Sequence, residues 1–286
     1  MFSWDAEPLS LRLAWDAFTL GRYLSAGAGE SFLLTQMPGN IGDHLIVRGT
    51  ETFLAGREIA VTPVAVPEVE HHGRGGRLIV PGSGALTKDW NEWLPALVVE
   101  AAGRFDEVLV LPSEIHAEVT EVARMLDLPN VVVLARDLHS YRAALPHGRT
   151  GFSLDLALHC PGFDAGFGGR VAASNGQTLV ALRTDKSSAL AAAGLVADHR
   201  NLDVSVDGAD LDEFLATIRS AEEVVTDRLH ALVTAVMSGV PVHYVDATND
   251  KLTRYVSFTF GPDAAHLLHR VDHQWLLDRG HVRRAA

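Results

Sequence analysis

Only one cysteine, Cys160, occurs in the 286 residues. A single thiol cannot close an internal disulfide, which fits a reducing compartment. Cys160 stands in an apolar stretch before Pro161, so a buried and inert thiol is expected. Cations are the minority: Lys+Arg number 24 against 36 Asp+Glu, a formal net charge of −12. That balance cannot build a broad basic face, which argues against nucleic acid as a partner. It still permits a small anion held by a few local cations. No apolar run approaches the roughly 20 residues of a bilayer span. The start carries Asp5, Glu7, Arg12 and Asp16 without a clean apolar core, so no secretory signal is read and a cytoplasmic location is expected. Metal ligands are scarce too. His71-His72 has no third ligand at metal spacing, and neither H-E-x-x-H nor paired cysteines occur, so no metal site is expected. The Walker loop and the dinucleotide fingerprint are absent, as are internal repeats and low-complexity tracts.

What is present is an ordinary globular balance, 47 % hydrophobic and 21 % charged, at a length suited to about two domains. Strand and helix patterns alternate. Leu9, Leu13, Ala17, Leu20 and Leu24 share a helical face over 8–24, with Gly27 and Gly29 after it. Strands are read at 31–35, 59–61, 78–80, 107–111, 131–134, 177–182, 202–206 and 242–245. Helices are read at 45–55, 90–102, 114–126, 190–197 and 210–221, with two short ones in the tail at 251–258 and 272–279. The alternation argues for parallel βαβ units. The glycine-rich stretch 162–176 reads as a linker. The expectation is an N-terminal domain over 1–170 and a C-terminal domain over 171–286, both Rossmann-like.

Two corners stand out, both at the carboxyl ends of strands, where such sheets hold ligands. In the first, Gly39-Asn40-Ile41-Gly42-Asp43 joins a strand to a helix. Its glycines allow a tight turn and close backbone approach, and Asp43 can cap the helix. The second runs from Val224 to Pro241. Asp227 can cap a helix whose Leu229, Leu232, Val233 and Val236 form a buried stripe. Gly239 and Pro241 end it. Arg228 and His230 in its first turn add positive charge to the positive end of the helix dipole, a place that attracts anions. Taken alone, an arginine after an aspartate reads more readily as a surface ion pair, and a histidine near a helix start as merely hydrogen-bonded.

The Thr226–Pro241 run, T-D-R-L-H, a small-residue helix and G-x-P, followed by a strand and Lys251, resembles the C-terminal signature of the polysaccharide pyruvyl transferase family. The G-N-I-G-D corner resembles the same family. So, in the family's order, do Pro81-Gly82-Ser83-Gly84, Val110-Leu111-Pro112, Ala135-Arg136-Asp137 with Ser140, Leu154-Asp155-Leu156-Ala157 and Leu182-Arg183. The chain departs from the family in a poorer glycine run at 81–84 and in Ser113, where a glutamine is usual.

The resemblance implies an α/β fold of two Rossmann-like domains facing across a cleft, the layout called GT-B. It implies transfer of the enolpyruvyl unit of phosphoenolpyruvate onto a saccharide acceptor, which can be lipid-linked, with closure of a cyclic ketal. In that reading Arg183 and Arg228 clamp the donor's anionic groups, since a guanidinium fork binds carboxylate and phosphate bidentately. His230 contacts the phosphate or acts as general acid. Asp43, from across the cleft, is the base or the acceptor-hydroxyl ligand. Gly39, Asn40, Gly42, Ser83, Gly84 and Lys251 complete substrate binding. Beyond phosphoenolpyruvate itself no cofactor is implied. The alternatives are a nucleotide-sugar glycosyltransferase on the same fold, for which no base or diphosphate pocket is readable, and a non-catalytic saccharide-binding member.

Overall fold

The computed structural model describes residues 7–26, 32–72, 74–90, 93–167, 169–185, 187–246 and 250–285; Gly27 and Gly29, expected after the first helix, lie outside them. The chain folds into two compact units. One, here the N-terminal unit, comprises Leu13–Pro38 and Ile46–Pro161. The other, the C-terminal unit, comprises Met1–Arg12, Gly39–Leu45 and Gly162–Ala286.

The N-terminal unit is built on β1 (Phe32–Gln36), β2 (Val61–Ala65), β3 (Arg77–Val80), β4 (Glu107–Ser113), β5 (Val131–Ala135) and β6 (Arg149–Phe152). All neighbours are parallel, in the order β2-β1-β3-β4-β5-β6. β4 is apolar throughout most of its length because it is covered on both faces. Val108 and Val110 pack with Leu94, Val98, Val122 and Met125 of α3 (Leu94–Ala102) and α4 (Thr120–Leu126). Leu109 and Leu111 pack with Leu20, Leu24, Phe53 and Leu54 of α1 (Leu9–Ser25) and α2 (Ile41–Ala55). The strand order turns between β1 and β3, the point at which such sheets leave a crevice beyond their carboxyl ends. Ser83 and Gly84 follow β3 at that point.

Two of the blocks singled out in the sequence meet inside this unit. Arg136 donates to Asp155 at 3.0 Å and to Glu114 at 3.3 Å, all three buried. Asp137 caps α5 (Leu138–Ala144) by accepting the Ser140 N–H at 2.8 Å. Gly49 of α2 lies directly on backbone, for a Cβ there would stand 1.9 Å from the Leu156 carbonyl oxygen. Gly49→Ala therefore forces the helix off its seat. The expected loss is about 1–3 kcal/mol, the range for overpacking, read as a lower urea midpoint with unchanged slope.

The C-terminal unit carries β7 (Thr178–Ala181), β9 (Glu223–Thr226), β10 (Val242–Tyr244) and β11 (Leu268–Arg270) as a parallel sheet in the order β11-β10-β9-β7. β8 (Leu195–Ala197) and β12 (Val282–Arg284) pair antiparallel as a separate ribbon. The helices are α6 (Ala189–Ala192), α7 (Leu211–Ser220), α8 (Leu229–Met237), α9 (Lys251–Thr259) and α10 (His273–Asp278). α8 ends as its sequence implies, with Gly239 at φ +69°.

Four expectations fail here. The strand read at 59–61 forms instead as Val61–Ala65, and the helix read over 114–126 begins only at Thr120, after Ile115 makes a bridge to Leu86. The helix read over 190–197 stops at Ala192, because the chain turns at Gly194, φ +64°, and leaves as β8. The strand read over 202–206 does not form. Its apolar alternation is real, but after Leu202 donates to the Val180 carbonyl the chain coils, with Val206 and Asp207 N–H groups both donating to the Asp203 carbonyl. Among the described residues no helix is long and apolar enough to cross a membrane. Two parallel sheets with flanking helices make this a mixed α/β protein of Rossmann-like type.

Candidate active site

The carboxyl edge of the C-terminal sheet positions the site. β7 and β9 are neighbours with Ala181 opposite Thr226. The residues that follow them, Arg183 on one side and Asp227-Arg228 on the other, therefore emerge side by side. Thr226 tightens the corner: its hydroxyl donates to the Ala181 carbonyl at 2.7 Å and accepts the Arg228 N–H at 3.0 Å.

Both arginines converge on one carboxylate. Arg183 makes a two-pronged contact with Asp185, Nε to Oδ1 and Nη2 to Oδ2, each at 2.9 Å. Arg228 Nη2 reaches the same Oδ2 at 3.2 Å. Arg228 also grips Asp203 through Nε and Nη2. Asp203 is fully buried, and its Oδ2 accepts the N–H and hydroxyl of Thr184, each at 3.0 Å. The loop after β7 and the corner after β9 are thus tied through Asp203. Burial works against the charge on Arg228, but Asp203, Asp185 and Asp227 outweigh it and hold the guanidinium pKa above its ordinary value. Burial likewise pushes Asp185 up, and the Arg183 hydrogen bond and charge, the Ser187 N–H and Arg228 reverse this, leaving its carboxyl below the ordinary value.

Asp227 does not cap α8. The N-cap position is Arg228, which makes no side-chain cap bond. The Asp227 carboxylate turns back instead to accept the N–H groups of Arg183 at 2.6 Å and Ala189 at 3.0 Å. An acceptor beneath two incoming loop amides satisfies more donors than a cap would, and those loop amides would otherwise be orphaned. Its burial raises its pKa, partly offset by those N–H groups and by Arg183 and Arg228. The surface ion pair between Asp227 and Arg228 is not what forms: Arg228 is buried and paired with Asp203 and Asp185.

The Gly39–Asp43 corner belongs to this same unit. Asn40, not Asp43, caps α2, accepting the Gly42 N–H at 2.9 Å, and the Asp43 carboxylate reaches back to the Asn40 N–H at 3.1 Å. That is the reciprocal arrangement of a capping box. Ile41 N–H donates to the Ser205 carbonyl at 3.1 Å. The first N–H groups of α2 are therefore engaged within the protein. The glycines serve close approach. A Cβ on Gly39 would lie 2.7 Å from the Asp43 side chain, and one on Gly42 would lie 3.2 Å from both His230 Cβ and Ser205 Oγ. Gly42 thus seats the start of α2 against His230, the second residue of α8, which is buried.

The structure therefore brings together Arg183, Arg228, His230, Gly39, Asn40, Gly42 and Asp43 in one unit. Lys251 belongs to that unit as the first residue of α9, after Asp250 at φ +50°. It follows β10, one strand beyond β9. The ends of β10 and β11 frame a hollow of about 470 Å³ lined by Val245, Asp246, Arg270, Val271, Asp272 and His273, of mixed charge. Ser83 and Gly84 lie in the N-terminal unit. There Ser83 is buried, its hydroxyl accepting the Ala85 N–H and its own N–H donating to Ser113 Oγ, each at 3.1 Å. Among the described residues no group of His, Cys, Asp and Glu could hold a metal ion.

Sequence reasoning missed Asp203 and gave Asp185 no role. Asp203 sat inside a run read as a strand, where an acid between apolar residues counts as solvent-facing. The available signal was indirect: a buried arginine needs a buried acid.

A sequence profile of the polysaccharide pyruvyl transferase family matches residues 40–249, a span that holds Asn40, Gly42, Asp43, Ser83, Gly84, Arg183, Arg228 and His230 and stops short of Lys251. No curated protein matches the chain significantly. A crystal structure of a functionally uncharacterised protein from Klebsiella pneumoniae is similar over 91 % of this chain and 98 % of that one, with a TM-score of 0.67 and 20 % identity. Likeness at that identity speaks for the fold alone. With the family profile covering most of the chain, including the Arg228 corner and all of the Gly39–Asp43 corner but Gly39, the chain belongs to the polysaccharide pyruvyl transferase family.

Proposed function

We propose that this protein moves the enolpyruvyl unit of phosphoenolpyruvate onto a saccharide and closes a pyruvate ketal, in the biosynthesis of an exopolysaccharide or cell-wall glycan. The acceptor carries two hydroxyls in reach of one carbon and can be lipid-linked, presented to a protein that works in the cytoplasm or at the inner face of the membrane. The two units would then face each other in the GT-B manner, with the acceptor on the N-terminal side near Ser83 and Gly84.

The observation that carries this reading is the convergence of Arg183 and Arg228 on a single carboxylate, with His230 on the helix that Arg228 begins. A position that holds one carboxylate between two guanidinium groups suits a small metabolite with a carboxylate and a phosphate. In the proposed reaction His230 gives a proton to the donor methylene. The adjacent carbon becomes electrophilic, and the first saccharide hydroxyl adds to it, losing its proton toward Asp43. The carbon–oxygen bond to phosphate breaks, and phosphate leaves with the electron pair. The second hydroxyl then adds to the oxocarbenium carbon left behind and closes the ring, giving its proton to the now neutral His230. Arg183 and Arg228 balance the charge of the departing phosphate, and Lys251 would meet it as a point charge.

Thermal unfolding with added ligand tests the donor. Phosphoenolpyruvate at a hundred times its Kd should stabilise the folded state by about 2.7 kcal/mol, and Arg183→Gln should abolish most of that gain. Stabilisation by a nucleotide sugar and not by phosphoenolpyruvate would overturn the reading. Incubation with candidate saccharides and weighing the product for one added pyruvate ketal then identifies the acceptor.

A further inference from the structure

We infer that Asp185 is an internal competitor for the donor site: its carboxylate fills the Arg183–Arg228 fork when no donor is bound and yields that place to the donor's anionic group. This rests on the proposed function for the identity of the donor, but not for the competition itself.

Two carboxylates meet the two arginines, and they differ in kind. Asp203 has no exposed side-chain surface, and it holds Thr184 as well as Arg228. Removing it from its place would strand a buried guanidinium and two loop donors. The Asp185 side chain is 27 % exposed, more than Arg183 at 16 % or Arg228 at 4 %. It occupies three guanidinium N–H donors, Arg183 Nε and Nη2 and Arg228 Nη2. These are the donors that a phosphate or carboxylate would take with the same planar geometry. Among the described residues its other side-chain bond is local, the Ser187 N–H to Oδ1 at 2.9 Å. While Asp185 is engaged, its negative charge and its hold on three guanidinium N–H donors both oppose an incoming anion. Turning Asp185 out removes that charge from the fork and frees the three donors. The same return of Asp185 after reaction would help expel inorganic phosphate.

A competitor engaged nine-tenths to ninety-nine hundredths of the time weakens apparent affinity by about ten- to a hundredfold. Titration calorimetry of inorganic phosphate, and separately of phosphoenolpyruvate, into wild type and Asp185→Asn tests this. Asn keeps the Oδ1 acceptor for Ser187 and loses the charge. Tighter binding of phosphate by that factor, with a correspondingly lower KM and no rise in kcat, is expected. Equal or weaker phosphate binding by a folded Asp185→Asn protein overturns the inference, since a carboxylate that only shapes the loop would give that result. Asp185→Ser, whose hydroxyl can also accept the Ser187 N–H, carries the test should the Asn variant not fold. A crystal structure of wild type with phosphate gives an answer that needs no variant. Asp185 released from both arginines supports the competition, and Asp185 still bridging them with phosphate elsewhere overturns it. Tighter phosphate but no phosphoenolpyruvate binding would remove the donor assignment and leave the competition standing.

Discussion

Asp203→Ala should destabilise the C-terminal unit by about 3–5 kcal/mol, the cost of leaving a buried charge without its partner. The cause is the position of Arg228, 3 % exposed, with Nε and Nη2 both directed at Asp203. Thr184 loses the acceptor for its N–H and hydroxyl at the same time. Urea unfolding reads the effect. With two compact units, two transitions are expected, and the shift should fall on the one that Arg228→Met also moves. The double variant Asp203→Ala/Arg228→Met should be more stable than Asp203→Ala alone, because removing both partners leaves no stranded charge. A double variant that loses the full sum of the singles would show that the two residues do not act as a pair. Activity should vanish in every one of these variants, so stability, not turnover, separates the cases.

A second large effect lies in the N-terminal unit, where two groups titrate in opposite directions over nearly the same pH range. Asp16 is buried, which pushes its carboxyl up to about 7 despite hydrogen bonds from Ser153 and Leu154 and the charge of Arg57. His159, edge-on to Phe53 at 5.2 Å, is pushed down to about 4 by burial and by Arg57, against the pull of Asp155. Between about pH 4 and 7 the folded chain keeps a proton on Asp16 that the unfolded chain has released, so this group makes stability fall as pH rises. Between about pH 4 and 6.5 the unfolded chain holds a proton on His159 that the folded chain lacks, so this group makes stability rise with pH. At about 1.4 kcal/mol per unit, each amounts to roughly 3–4 kcal/mol across its window. In wild type the two largely cancel. Asp16→Asn should therefore turn a shallow profile between pH 4 and 6.5 into a steep rise, and His159→Gln should turn it into a fall. Urea midpoints at half-unit pH steps measure both. Parallel profiles for wild type and the two variants would show that neither group titrates in that range.

Where the chain's local pattern and its long-range packing agree, the sequence was sufficient. The apolar runs of β4 and β5 declared strands covered on both faces. Gly239 ended α8 in the left-handed conformation that only glycine adopts freely. Arg183 and Arg228 were legible as residues of one sheet edge because parallel strands that alternate with helices deliver their following residues there; the family resemblance paired them, and the structure makes their strands neighbours. Capping was less legible. Asn40 and Asp43 can each cap a helix by residue type, and the geometry chose Asn40 with Asp43 in the returning role. Asp227 looked like a cap and became an anchor for the loop after β7, because two amides from that loop arrive above it.

The sequence by itself determined the class of fold, the positions of its central strands, and the chemical types gathered at the edge of the second sheet. Those follow from hydrophobic period and backbone preference, which act within one element. The tertiary structure alone decided which carboxylate each arginine meets, and that Gly39–Leu45 packs in the unit of Arg228 and His230. Asp203 lies 25 residues from Arg228 and Asp185 lies 43 from it. A charge is paired by whatever the folded chain brings within hydrogen-bond reach, and that distance is set by strand order and loop path, which no local pattern encodes.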